Sequence, residues 1–202
     1  MKNSYQHKIL FLLVSIVSIL SSRTFAQNTF YGKVYYGISD AAFLEKEEMI
    51  GVISKDVDGF REFGFLVGKK ISKKWAIETG LNSAVADIIF KPNPSMFPVQ
   101  ELTILPSSES FKMFSFPVLM RYSIFPFLFV NAGPLLDIQR SENPSYKQSG
   151  FGYLLGIGAE HYFKKVGFFV HPHFKRHSTI PFVSTNYNLT EFGLQFGLSY
   201  NF

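Results

Sequence analysis

The sequence predicts an all-β protein, an eight-stranded antiparallel up-and-down transmembrane β-barrel preceded by a cleaved signal peptide. Three observations lead there. In the closing stretch FGLQFGLSYNF, Phe192, Leu194, Phe196, Leu198, Tyr200 and Phe202 take every second position, with Gly193, Gln195, Gly197, Ser199 and Asn201 between them. Successive strand side chains point to opposite faces, so one face is apolar and the other small or polar, and about 9–11 such residues cross a bilayer. The connections between segments of this kind alternate long and short, the rhythm of extracellular loops and periplasmic turns. Finally, 24 Phe and 10 Tyr bring the aromatic share to 17% of 202 residues, a bias toward strands and membrane interfaces.

The first 26 residues stand apart from the barrel. Lys2 and Lys8 precede the apolar run Ile9–Leu20, and Ser21-Ser22-Arg23-Thr24-Phe25-Ala26 supplies a small-residue cleavage site before Gln27. Twelve apolar residues make about 18 Å of helix, short of the ~30 Å hydrocarbon thickness, so a retained anchor is disfavoured. The expected domains are 1–26, a signal peptide for the Sec pathway, and 27–202, the barrel. Removing Lys2, Lys8 and Arg23 lowers the net charge from +5 to about +2, and no basic stripe with stacking aromatics remains for nucleic acid. With no cysteine, disulfides, thiol catalysis and cysteine-bound metal are excluded.

Strand one is expected at Thr29–Ser39, with Phe30, Val34, Tyr36 and Ile38 opposed to Tyr31, Lys33, Tyr35 and Gly37. The charged stretch Leu44–Asp58 reads as a solvated loop. Strand two, Gly59–Lys69, turns Phe63, Phe65 and Val67 outward and Glu62, Gly64 and Gly68 inward. Strand three begins at Lys74, and the proline-bearing stretch Lys91–Ser110 is a second long loop. Strand four, Phe111–Tyr122, sets Phe114, Phe116, Val118 and Met120 against Ser115, Pro117, Leu119 and Arg121. Strands five (Phe127–Ile138), six (Gly150–Phe163) and seven (Val166–Arg176) follow. Between them lie a polar loop over Gln139–Ser149 and a turn at Lys164-Lys165; the last loop is His177–Asn188. Pro117, Pro134 and Pro172 fall inside strands, where each lacks a ladder donor, so bulges are expected there.

Several hairpins carry a resemblance. FGFLVGKKISKKWAIETGL (63–81), MFSFPVLMRY (113–122), FLFVNAGPLL (127–136) and GYLLGIGAEHYF (152–163) resemble the PorT-like barrels, a small outer-membrane β-barrel family widespread in Bacteroidota. The likeness implies an outer-membrane location in a Gram-negative cell and little about activity. Tyr200 and Phe202 resemble the carboxy-terminal aromatic signal read by the outer-membrane assembly machinery. At strand seven the family's Arg-Tyr step is replaced by His171-Pro172-His173-Phe174-Lys175-Arg176-His177.

The candidate chemistry is inside the barrel. Arg121 and Glu160 precede short turns and Glu78 follows one, all on inward faces; charges withdrawn from water must pair, so these should form a structural network near the periplasmic end. His171, His173, Lys175 and His177 share one column. Imidazoles at i and i+2 can share a metal ion, but Lys175 in the same column favours a polar column paired with Glu62, Glu191 or Asp137. His177 and Thr179 could act as base and nucleophile given an orienting carboxylate. That pair resembles lipid A deacylases, departing from them where Thr replaces the expected Ser and the following Asn is missing. A soluble lipocalin-like barrel would need the faces reversed, exposing a glycine-rich strip. The expectation is a non-enzymatic surface or interaction scaffold acting through its extracellular loops, with no cofactor and no metal. Its expected partners are outer-membrane lipid and lipopolysaccharide, the assembly machinery during insertion, and a surface or envelope protein. An acyl hydrolase acting on lipid A is the alternative.

Overall fold

The computed structural model describes residues 30–45, 54–91, 107–140 and 147–202. The expected signal peptide lies outside the described residues. Eight strands follow one another: β1 (Phe30–Glu45), β2 (Ser54–Lys70), β3 (Trp75–Lys91), β4 (Ser107–Ser123), β5 (Leu128–Gln139), β6 (Gly150–Phe163), β7 (Val166–Pro181) and β8 (Tyr187–Asn201). Each pairs antiparallel with its neighbours in sequence, and β8 pairs with β1, closing an eight-stranded barrel. That closing seam keeps one register from Tyr31↔Asn201 to Glu45↔Tyr187.

Alternation sorts the faces as read from the sequence. In β8, Phe192, Leu194, Phe196, Leu198 and Tyr200 are exposed on the outside, while Glu191, Gly193, Gln195 and Ser199 are buried within. From Phe192 to Phe202 the apolar row rises about 26 Å at an outer-membrane strand tilt, matching the apolar band of such barrels. The short turns Ile71–Lys74, Ile124–Phe127 and Lys164–Lys165 mark the periplasmic end. A lipid-facing girdle of Phe30, Trp75, Tyr122, Phe127, Phe163, Tyr200 and Phe202 surrounds that end.

The interior is too narrow for a pore and is packed by pairing bulk with glycine across the ladder. Tyr31 lies opposite Gly68, Tyr35 opposite Gly64, and Phe129 opposite Gly158. A Cβ at any of these glycines would overlap the facing ring. Leu119, Leu135 and Leu154 form one apolar knot at mid-height, and Tyr35, Leu66 and Phe169 form another.

Two expectations are corrected. The strands run further than the alternation of apolar residues suggested: β1 continues to Glu45, β2 starts at Ser54, β3 reaches Lys91, and β7 reaches Pro181. A strand of 17 residues such as β4 rises about 42 Å, well beyond the ~25 Å apolar band. In this upper region the polarity of the two faces inverts. Asp40, Asp58, Asp87 and Lys112 point outward, and Ala41, Phe60, Ala84, Ala86, Ile88, Phe111, Met113 and Leu189 make a buried apolar cluster inside. Water bathes the outside there, so the strands follow the rule of a soluble barrel.

The second correction concerns the prolines. Register is constant through Pro117, Pro134 and Pro172. Pairing lapses for two residues beside each proline and then resumes unshifted, as with Thr79↔Val118 and Asn82↔Ser115 around Pro117. A proline removes one ladder donor toward one neighbour, and the bonded strands on both sides hold the register. The bulges lie elsewhere. Gly59, at φ 62°, inserts one residue into β2, shifting its register with both β1 and β3. Ser178, at φ 51°, accompanies the shift between β6 and β7.

Phe196 sits midway along the lipid-facing row of β8. Phe196→Lys should cost about 2–4 kcal/mol, the range for a cation at the bilayer midplane. Equilibrium urea unfolding from lipid vesicles measures it; an unchanged midpoint would place that ring outside the hydrocarbon.

Candidate functional site

The buried polar side chains gather in two clusters at different heights. The lower one is at the periplasmic end, assembled from inward positions of β1, β3, β4 and β6. Arg121 Nη1 lies 2.9 Å from Glu160 Oε2 and 3.4 Å from Glu78 Oε1. Lys33 Nζ is 2.7 Å from Glu78 Oε1 and 3.5 Å from Glu160 Oε2, and the Tyr31 hydroxyl donates to Glu78 Oε1 at 2.7 Å. Two cations thus face two carboxylates. The Arg121 guanidinium also lies over the Phe129 ring, 3.8 Å from its centroid, and Lys33 Nζ lies 4.7 Å from the same ring. A cation largely withdrawn from water gains from such a face.

Glu78, Arg121 and Glu160 meet as expected from the sequence, and Lys33 joins them. Its inward parity in strand one was the available signal. What parity lacks is register, because Lys33 meets acids from β3 and β6, neither of them its neighbour in the sheet.

The upper cluster is built on β7, whose side chains at 171, 173, 175 and 177 all point inward and are buried. Lys175 Nζ lies 2.5 Å from both Glu62 Oε2 and Glu191 Oε1. His173 Nε2 is 3.1 Å from Glu191 Oε1. His177 Nδ1 is 2.9 Å from Asp137 Oδ2, whose other oxygen accepts from the Ser115 hydroxyl at 2.6 Å. Asn82 and Gln195 donate to the two oxygens of Glu62 at 2.5 and 2.8 Å.

His171 belongs to neither ionic group. Its nitrogens reach Gln195 Oε1 at 2.9 Å and Asn131 Oδ1 at 2.8 Å. Its ring stacks on Phe129 at 5.6 Å and on His173 at 5.8 Å. The six lumen residues of the sequence reading are therefore brought inside the barrel but not into one group. Glu78, Arg121 and Glu160 lie below, His173 and Lys175 above, and His171 and the Phe129 ring between.

Glu62, His173 and Glu191 place one ligand atom each within 4.8 Å of one another, a set that suits a divalent cation. Lys175 Nζ contacts both carboxylates of that set, so an ammonium stands where the ion's charge would be. The His177–Thr179 pair is not assembled. His177 is buried in the lumen with Nε2 directed at Glu191 Oε2, 3.5 Å away, whereas Thr179 lies exposed beyond the bulge at Ser178. Tyr200 and Phe202 lie on the lipid-facing periplasmic girdle, their rings edge to face at 5.4 Å, and the Phe202 amide donates to Phe30 O at 3.2 Å.

A closed eight-stranded sheet with a lipid-compatible outer band and buried charges held in pairs inside defines a small outer-membrane β-barrel. Residues 9–202 match the family model described as outer membrane protein beta-barrel domain, and the chain belongs to that family. Among solved structures it is similar to the outer membrane protein AlkL in DMPC bilayers, at TM-score 0.56 and 12% identity, over 90% of this chain and 93% of that one. It is also similar to Ail, the attachment invasion locus protein of Yersinia pestis, solved with the heparin analogue sucrose octasulfate. There the TM-score is 0.48 and the identity 12%, over 85% of this chain and 99% of that one. The likeness to AlkL is one of fold. No curated protein matches the sequence.

Removing Lys175 would leave two carboxylates buried together without a cation. Lys175→Met should destabilise the barrel by about 3–5 kcal/mol, the cost of breaking a buried ion pair from one side. Urea unfolding from vesicles reads the loss. In the same assay Zn²⁺ should raise the midpoint of Lys175→Ala and leave the wild type unmoved, because only the variant vacates the set Glu62, His173 and Glu191. A zinc-dependent shift in the wild type would contradict this account of Lys175.

Proposed function

We propose that the protein is a sealed, non-catalytic outer-membrane barrel of the PorT-like group of Bacteroidota. It presents its extracellular strand ends and loops as a surface or interaction scaffold. The observation that carries this reading is the interior, which opens at the periplasmic end as a cavity of about 730 Å³ lined by Tyr31, Arg121, Glu160 and Tyr162 and is packed with side chains above it. The lower ion cluster, the Phe129–His171–His173 stack, the Lys175 cluster and the apolar cluster around Phe111 follow one another along the axis. Above them Gln148 lies across the mouth, donating through Nε2 to Tyr187 O at 3.0 Å and accepting from the Leu189 amide at 2.9 Å. Among the described residues a barrel packed in this way offers no continuous solute path and no accessible nucleophile–base pair, which favours the outer surface as the part that acts.

The hairpins 63–81, 113–122, 127–136 and 152–163 support the PorT-like assignment, and the basic, apolar and small-residue segments of 1–26 support export through the Sec pathway. Tyr200 and Phe202 are assigned the role of assembly signal for the insertion machinery. Lipopolysaccharide surrounds the upper half of the barrel, and a surface or envelope protein is the partner of the loops.

In planar bilayers the purified barrel should give no stepwise conductance. Lipid A from cells with and without the protein should show the same acyl pattern by mass spectrometry. Discrete conductance steps would overturn the sealed interior, and a missing acyl chain would restore the hydrolase alternative.

A further inference from the structure

The periplasmic turns carry charge of one sign. Lys69, Lys70, Lys73 and Lys74 flank the β2–β3 turn, and Lys164 and Lys165 form the β6–β7 turn. No Asp or Glu occurs in 69–75, 123–127 or 163–166. The acids nearest in the chain, Glu78 and Glu160, point into the lumen and are held by Lys33 and Arg121. The opposite edge of the apolar band differs, since exposed Asp40, Asp58 and Asp87 interleave there with exposed Arg61, Lys112 and Arg140.

Three of these lysines are also placed by the aromatic girdle. Lys69 Nζ lies 5.7 Å from the centroid of Phe30, Lys74 Nζ 5.8 Å from that of Tyr122, and Lys165 Nζ 5.9 Å from that of Tyr200. All three rings are on the lipid-facing side, so each ammonium sits at the boundary between hydrocarbon and water, where phospholipid phosphates lie. A contact with a ring face consumes no oxygen acceptor, and the Lys74 and Lys165 ammoniums keep their N–H donors for one.

We propose that this rim is a binding ring for anionic phospholipid of the inner leaflet, with Lys74 and Lys165 on the headgroup phosphate. Charge complementarity selects the occupant. A zwitterionic headgroup brings its own ammonium, and these turns offer it no carboxylate. An anionic headgroup such as phosphatidylglycerol adds only negative charge to a cationic rim. The expected enrichment is about five-fold over a neutral lipid for each lysine near the surface.

Trp75, the single tryptophan, follows Lys74 and packs against Tyr122 at 4.7 Å, so it reports on the lipid at this rim. The barrel is refolded in dioleoylphosphatidylcholine vesicles containing a minor fraction of tail-brominated phosphatidylglycerol or, at equal mole fraction, tail-brominated phosphatidylcholine. Brominated phosphatidylglycerol should quench Trp75 as though enriched about five-fold near it. The excess should shrink several-fold in the Lys74→Gln, Lys165→Gln double variant, whose heat-modifiable gel migration should match the wild type. Raising the salt to 1 M should shrink the wild-type excess without any substitution, which keeps the test available if the variant misfolds. Equal quenching by the two lipids in the wild type, or an excess that survives both the substitutions and the salt, overturns the proposal.

Discussion

Closure governs the rest of this structure. In hydrocarbon an unpaired backbone edge costs several kcal/mol per group, so a sheet survives there only when its last strand bonds to its first. The uninterrupted β1–β8 seam meets that condition, and eight strands set the bore. A bore of this size holds side chains and little else. Hence the glycines opposite Tyr31, Tyr35 and Phe129, and hence buried charges that must neutralise one another locally, since water cannot.

The same strands serve two solvents. In the bilayer the outer face is Phe, Leu and Val and the inner face mixes charged clusters, glycines and small apolar knots. Above it Asp58 and Asp87 face outward and Phe60 and Ile88 face inward. In β2 the change is made by one added residue, Gly59, whose positive φ lets the chain absorb the insertion and resets which side chains point in. The apolar cluster so formed is a soluble-type core on top of a membrane-type core. It lets the strands remain a rigid sheet beyond the lipid and carries the loops on a built platform.

The parts legible in the sequence were those with a local signature. Period-two alternation in β8, β4 and β6 assigned faces without help, and charges beside short turns placed Glu78, Arg121 and Glu160 at one end. The strand extensions were hidden because their pattern reads against the same hydrophobic key. Asp40 followed by Ala41, or Asp87 by Ile88, resembles a loop until the outer face is known to be wet. The prolines misled for the opposite reason. A missing donor is a local defect, whereas register is held by every other bond along two seams, and no local signal reports that balance. Lys33 was hidden by register alone, its partners arriving from strands two and three positions away around the closed barrel.

Lys175 shows how a buried cation can replace a bound one. Two carboxylates and an imidazole converge from β2, β8 and β7, and mutual repulsion of Glu62 and Glu191 would destabilise the barrel if nothing positive lay between them. A divalent ion answers that need with more charge but must be acquired after the barrel has closed. A lysine arrives with the chain and is in place when the strands zip together. Its long stem reaches across the lumen from β7, so the cation also ties that strand to β2, which is not its neighbour in the sheet. The cost is desolvation of one ammonium, offset by two carboxylate contacts at 2.5 Å, while the amides of Asn82 and Gln195 donate to Glu62. A charge that cannot leave is suited to holding strands together.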